Sequence, residues 1–374
     1  MSTESKQKAD VAAYIWPAYT GDEPRTRMFW PEGMGEWQSV KNAVKKIPDH
    51  DWPRYPLWGY VNEADPYVMS MEIDAAADHG VNVFIYDWYW FDHRPFLEQC
   101  LDNGFLKAPN RDRMKFYLMW ANHDANHLWD IRQSDKNGST VIWGGAVDRR
   151  DFETIVHRVI EKYFTQPNYY TIDGCPVFMI YELRNLVNGL GGIAKCREAL
   201  DYFREETVKA GFKGLNLHAT VWSVKTANVS GVDATLSGMS RADFNQLGFD
   251  GMTHYQFVHF VDMKRDYLEI LPDVEREWAK IDGTFTQTYY PHVSIGWDNN
   301  PRFREYRETV CKNNSPDNFR KALEMAVRYL DAHPDRQRLI TLNSWNEWTE
   351  TSYLEPDTLY GYGYLDAVKA AVVI

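Results

Sequence analysis

Short apolar runs alternate with longer amphipathic stretches along the whole chain. Runs rich in β-branched and aromatic residues predict strands at 11–15 (VAAYI), 81–86 (VNVFIY), 115–119 (KFYLM), 177–181 (VFMIY), 215–219 (LNLHA), 250–254 (DGMTH), 292–296 (HVSIG) and 338–343 (RLITLN). Between them, apolar residues recur at spacings of three and four with charges interspersed, which predicts helices at 67–79, 151–163, 195–210 and 317–331. Asp317 suits the N-cap of the last of these. Eight strands alternating with helices predict an α/β fold, a closed (β/α)8 TIM barrel occupying residues 1–374 as a single domain. The alternation alone would also fit a doubly wound sheet, but no Gly-rich phosphate loop follows the first strand.

Polar aromatic clusters fall repeatedly just after the strands: WPAY, DWYWFD, WANHD, YELRN, HYQF, GWDNNPR and SWNEWTE. Barrel enzymes build their sites from such C-terminal strand ends. The stretches 16–66 and 121–150 read as long loops, and loops of that length are usually functional. Composition sharpens the picture. Aromatic residues make up 15% of the 374, with 15 Trp and 23 Tyr, although the chain is polar overall. Amphipathic rings suit ligands that are partly apolar, such as sugars. A net charge of −12 disfavours nucleic acid and anionic membranes as partners. No apolar run approaches the ~20 residues needed to span a bilayer. The polar N-terminus has no hydrophobic signal region, and the four cysteines form no CxxC pair, so a reducing, cytoplasmic setting is expected.

Segment 338–356 holds the strongest chemical signal. An apolar strand runs into Glu347 and Glu350, flanked by Trp345 and Trp348, with Glu355 beyond. Glycoside cleavage needs one carboxylic acid to protonate the leaving oxygen and a second carboxylate to act near C1. Residues three apart face oppositely in a strand but lie side by side in a helical turn. The pair therefore works together only if the strand has ended near Trp345. Glu182, at the end of strand four, is the rival catalytic carboxylate. The expected substrate-binding groups are Trp16 and Tyr19 after strand one, and Asp87, Trp88 and Tyr89 after strand two, with alternate rings there packing beneath helices. Trp120, Asn122 and His123 follow strand three, Tyr181 and Glu182 strand four, and His254 and Tyr255 strand six. Trp297 and Asp298 follow strand seven, and Asn346, Trp348 and Glu355 strand eight. His123-Asp124-x-x-His127 resembles a zinc motif only loosely, with Asp in place of Glu, so no metal and no cofactor is expected.

The string NSWNEWTETSYLEPDTLYGYGYLDAV is similar to the C-terminal signature of glycoside hydrolase family 99 and its WbsX-like relatives, in its NEW-x-E core and following LEP. GWDNNPR, VFIYDWYWFD and FYLMWANHD resemble further signatures of that group, and the likeness runs from about residue 11 to 369. The opening YIWPAYTGDEP departs from the usual WbsX-like one, although GEWQSV at 35–40 echoes its later part. The resemblance implies a (β/α)8 barrel and a retaining glycosidase acting on an oligosaccharide or polysaccharide with α-linked, mannose-like sugars. It further implies that Glu347 deprotonates the sugar's own 2-hydroxyl, which attacks C1 to give a 1,2-anhydro sugar. Glu350 would protonate the leaving group and later activate water. That chemistry calls for an ionised Glu347, held by donors such as Asn346 or a Tyr, and a protonated Glu350. A glycosyltransferase of polysaccharide assembly and a non-catalytic sugar-binding barrel are the rival readings.

Overall fold

The computed structural model describes residues 7–225 and 235–374. Its main sheet is a closed ring of parallel strands: β1 (Asp10–Ile15), β2 (Val83–Phe91), β3 (Lys115–Trp120), β4 (Cys175–Ile180), β5 (Asn216–Thr220), β6 (Gly251–Thr253), β7 (Thr288–Tyr289 and His292–Ser294) and β8 (Leu339–Asn343). β1 pairs with β2 on one side and β8 on the other, as Ala12 opposite Val83 and Ala12 opposite Thr341 show. The seventh strand closes the ring in two pieces. Its first piece pairs with β6 and its second with β8. Pro291 sits at the break, since a residue without an N–H cannot continue a ladder on both sides. Tyr290 N still donates to Met252 O at 2.9 Å, and Pro291 O accepts from Thr341 N at 3.1 Å.

The sheet is wrapped by α1 (Pro66–Asp78), α2 (Arg149–Val159), α3 (Ile193–Lys209), α4 (Arg241–Leu247), α5 (Tyr267–Thr284), α6 (Pro316–Asp331) and α7 (Gly363–Val372). Asp65 caps α1 by accepting from Tyr67 N, with Pro66 in the first turn, where its missing N–H costs nothing. The cap of α6 is Ser315, whose hydroxyl accepts from Asn318 N. The expected cap, Asp317, lies one step inside, in the first turn, where its charge still favours the positive end of the helix. The helix expected at 151–163 begins earlier, behind Asp148, and its last turn widens into a π-turn at Ile160–Phe164. After β2, a π-turn (Cys100–Gly104) and a short 3-10 turn (Phe105–Lys107) replace the helix. Among the described residues no helix is long and apolar enough to cross a membrane.

The period of two along β2 and β3 decides which rings reach the mouth of the barrel. Trp88 turns outward, its Nε1 donating to Glu98 at 2.9 Å, and Glu98 also accepts from Tyr163 at 2.8 Å. Trp120 likewise turns outward, against Phe152 on α2. Both were expected to bind substrate, and both instead pack the layer between sheet and helices. Inside the ring, Tyr14 donates across the barrel to His254 O at 3.1 Å, and Thr253 meets Thr341 at 2.7 Å. One ring around one core should unfold as a unit. Far-ultraviolet circular dichroism and tryptophan fluorescence are expected to trace a single coincident thermal transition, and two separated midpoints would divide the chain into domains.

Candidate active site

β8 ends at Asn343, and the chain is captured at once by β1. Trp345 N donates to Tyr14 O at 2.7 Å. The Asn346 carboxamide clips the Trp16 backbone, accepting from its N at 2.8 Å and donating to its O at 2.9 Å. A small hairpin follows, with Asn346–Glu347 paired to Ser352–Tyr353 around a 3-10 turn at Trp348–Glu350. Ser344 Oγ accepts from Glu347 N at 2.7 Å, and Thr351 takes a positive φ of 55° to close the turn. The strand has therefore ended before Trp345, and the turn brings Glu347 and Glu350 to one wall of the same cavity.

That cavity has a volume of about 270 Å³. Ten expected residues line it: Trp16, Asp87, Tyr89, His123, Tyr181, Glu182, Tyr255, Trp297, Glu347 and Glu350. Its rings stand at steep angles to one another. Trp16 meets Tyr89 at 5.6 Å and 80°, and His123 meets Tyr181 at 5.6 Å and 68°. Seven further expected residues are buried away from that cavity, held by other partners. Tyr19 accepts from Trp348 N at 3.2 Å. Asn122 ties strand ends together, donating to Glu182 O at 2.8 Å and accepting from Glu182 N at 2.7 Å. His254 is held between Tyr289 and Trp222 O. Asp298 binds His50 at 2.8 Å and Asn300 at 2.7 Å. Asn346 is the clip already described. Trp348 stacks on Tyr353 at 3.8 Å and donates to Glu355, which is thereby engaged beneath the hairpin. Glu182 reaches the cavity wall, but one of its oxygens caps the helix Leu183–Leu190 by accepting from Arg184 N at 3.0 Å. His123 and Asp124 of the loose zinc-like motif part company: the His123 ring faces the aromatic wall, and Asp124 accepts from Gly145 N and Asn185.

The residue the sequence reading passed over is Arg302, the last of GWDNNPR. It is 4% exposed and lies among three carboxylates. Its guanidinium donates to Glu350 Oε1 at 2.6 Å, Glu347 Oε2 at 3.2 Å and Glu36 Oε1 at 3.0 Å. Glu36 comes from GEWQSV, and Gly35 makes its placement possible. At a φ of 61°, Gly35 packs so close to Ala18 that a Cβ would lie 1.8 Å from Ala18 O. Trp16 Nε1 also donates to Glu36. Asp298 and Asn300 shape the turn that delivers Arg302. Trp129, Trp222 and His259 complete the cavity, the last two stacked at 4.4 Å and 8°. The long loops 16–66 and 121–150 supply Glu36 and Trp129, so their length does mark the site.

Burial pushes the Glu347 carboxyl well above the ordinary range, reinforced by Glu350 and opposed by Arg302. Burial also raises Glu350, with Arg302 opposing. Both directions favour a pair that holds a proton more tightly than ordinary carboxyls and titrates as a unit. The expected donor Asn346 is occupied elsewhere, and Arg302 bridges the pair, closer to Glu350 than to Glu347. The donors on Glu347 are Arg302 and the Tyr255 hydroxyl, which lies 3.2 Å from Glu347 Oε1 and 2.9 Å from Asp87 Oδ2. Glu350 Oε2 and Asp87 Oδ1 are buried without a hydrogen-bond partner among the described residues.

Replacing Arg302 by Met leaves its carboxylates uncompensated and is expected to cost about 3–5 kcal/mol at neutral pH. The pH dependence has a fixed sign. Glu347 and Glu350 lie above their unfolded values in the native state, so stability falls as pH rises from about 4.3 through their folded pKa values. Loss of Arg302 raises them further. The deficit of Arg302→Met in denaturant melts should be largest at about pH 7–8 and shrink toward about pH 4–5 as the orphaned groups take up protons.

The family described as Glycosyltransferase WbsX matches residues 11–368. The uncharacterized protein WxcX of Xanthomonas campestris pv. campestris is 26% identical over 382 residues, covering 97% of this chain and 50% of its own length. The chain thus spans about half the length of the curated relatives it matches. The structure superposes on a glycoside hydrolase family 99 endo-α-mannosidase from Bacteroides thetaiotaomicron, solved with bis-tris-propane, with a TM-score of 0.59 and 14% identity over 96% of this chain and 95% of that one. A glycoside hydrolase-like protein gives the same TM-score of 0.59 at 14% identity, over 99% and 96%. These likenesses establish the TIM-barrel fold.

Proposed function

The chain belongs to the Glycosyltransferase WbsX family, and from that premise and the geometry of the site we propose that it hydrolyses α-linked, mannose-like glycosides with retention. The observation that carries this reading is the state of Glu350: one oxygen is fixed by Arg302 at 2.6 Å and the other is buried without a partner at the wall of an aromatic cavity. Burial raises this carboxyl against the pull of Arg302, and its free oxygen at the cavity wall is suited to give a proton to a departing glycosidic oxygen. Glu347 is suited to the second task. It takes the proton of the sugar's 2-hydroxyl while O2 bonds to C1 and the C1–O bond to the leaving group breaks. Glu350 then removes a proton from water as its oxygen attacks C1, and O2 recovers its proton from Glu347. Two displacements at C1 give net retention. The Tyr255 hydroxyl and Arg302 stabilise the charge on Glu347 when it is ionised, while Trp16, Tyr89 and Trp297 offer faces to the sugar. The Bacteroides neighbour is an endo-α-mannosidase, which supports the α-mannoside assignment.

The family's description favours a second reading, glycosyl transfer. The two are separated by supplying oligosaccharides with α-linked mannose, and nitrophenyl α-glycosides, in one set of assays and nucleotide sugars with acceptors in another. Hydrolysis without any sugar donor is the expected result, and transfer without hydrolysis would overturn the proposal.

Glu350→Gln should lower turnover of substrates with basic leaving groups by about 10²–10⁴-fold while leaving binding within a few-fold of the parent. A 2-deoxy substrate should bind without turning over. A 2-fluoro sugar should leave no adduct detectable by intact-protein mass spectrometry, and an ester on Glu347 or Glu182 would replace the anhydro-sugar route with an ordinary nucleophile.

A further inference from the structure

A second group of carboxylates lies beneath the catalytic hairpin, and the proposed chemistry does not use it. Glu63 comes from the end of the long first loop, Glu72 from α1 and Glu355 from the segment after the hairpin. Glu63 and Glu72 are fully buried and Glu355 is 3% exposed. One ligand oxygen from each lies within 4.8 Å of the other two. The groups that hold them are neutral. Trp345 Nε1 donates to Glu72 Oε2 at 3.0 Å, Trp348 Nε1 donates to Glu355 Oε2, Asn346 Nδ2 lies 3.0 Å from both Glu63 oxygens, and the Cys100 thiol lies 3.6 Å from Glu63. A separate observation is that Glu72 Oε1 and Glu355 Oε1 are buried with no hydrogen-bond partner among the described residues.

Three carboxylates in one low-dielectric pocket with only neutral donors need a positive charge or protons. The arrangement of donors favours an ion. Glu72 and Glu355 each have one oxygen oriented by an indole N–H and the other left over, which is how supporting hydrogen bonds present metal-ligating carboxylates. The oxygen donors select a hard cation. Calcium accepts carboxylate oxygens in flexible geometry and so suits ligands drawn from three separate elements, whereas magnesium demands a near-ideal octahedron. We propose that Glu63, Glu72 and Glu355 form a binding site for a hard divalent cation such as calcium, joining α1, the first long loop and the catalytic hairpin. The ion sits behind the hairpin: Trp345, Asn346 and Trp348, which surround Glu347 in the chain, each hold one of its ligands.

The test uses the intact protein and does not depend on its activity. Elemental analysis of protein equilibrated with calcium and desalted should find one calcium per chain. Exhaustive chelation should lower the melting temperature by about 5–10 °C, and added calcium should restore it. Glu72→Gln and Glu355→Gln should lose both the ion and the calcium-dependent shift. If these variants fail to fold, the parent's metal content and calcium response decide the matter. Absence of stoichiometric calcium together with a melting temperature indifferent to chelator and calcium would overturn the site and leave three carboxyls sharing protons. Stoichiometric zinc, drawn by Cys100, would overturn its assignment to a hard cation.

Discussion

One buried guanidinium constrains this molecule more than any other group. Arg302 has to meet carboxylates from the first loop, from the hairpin after β8 and from the turn within it, all out of contact with water. Charges so placed are tolerable only in near-ideal geometry. The long loop between β1 and α1, the turn shaped by Asp298 and Asn300, and the hairpin locked to Trp16 are therefore solutions to one electrostatic problem. The Glu347–Glu350 pair inherits its geometry from that solution. Glu347 and Glu350 lie side by side because a single cation bridges them, and the remaining oxygen of Glu350 has no hydrogen-bond partner among the described residues.

The same arrangement explains what was legible in the sequence. Strand positions were readable because each strand is short and buried on both faces, so it appears as an unbroken apolar run. The pairing of Glu347 with Glu350 was readable because a turn must follow a strand that ends in polar residues. Which ring of DWYWFD faces the cavity is a matter of parity, and parity depends on where the ladder begins. Asp87 and Tyr89 fell on the inner face, and Trp88 on the outer. Trp120 followed the same rule one strand on.

Other residues were hidden for different reasons. Asn122, Asn346 and Asp298 look like sugar-binding groups in a string of letters, yet each satisfies backbone or side-chain partners at a strand end, where orphaned polar groups are costly when buried. Arg302 and Glu36 are 266 residues apart, and nothing local announces a long-range ion pair. Ser315 and Asp317 are both good caps by composition, and the chain chose between them by where Pro316 could start the helix. Glu63, Glu72 and Glu355 are unremarkable separately, and only folding turns them into a group.

The clip between Asn346 and Trp16 joins residues 330 positions apart. Contacts of such separation are reached only after nearly all of the loop-closure entropy has been lost, and they belong to the slow end of folding. Until β8 arrives, the open edge of β1 presents unpaired N–H and C=O groups, a surface on which another chain can dock. During synthesis that exposure lasts until the last strand has emerged. The hairpin that carries Glu347 and Glu350 is thus tied to the closure of an aggregation-prone edge, so the cavity is completed only as that edge is covered.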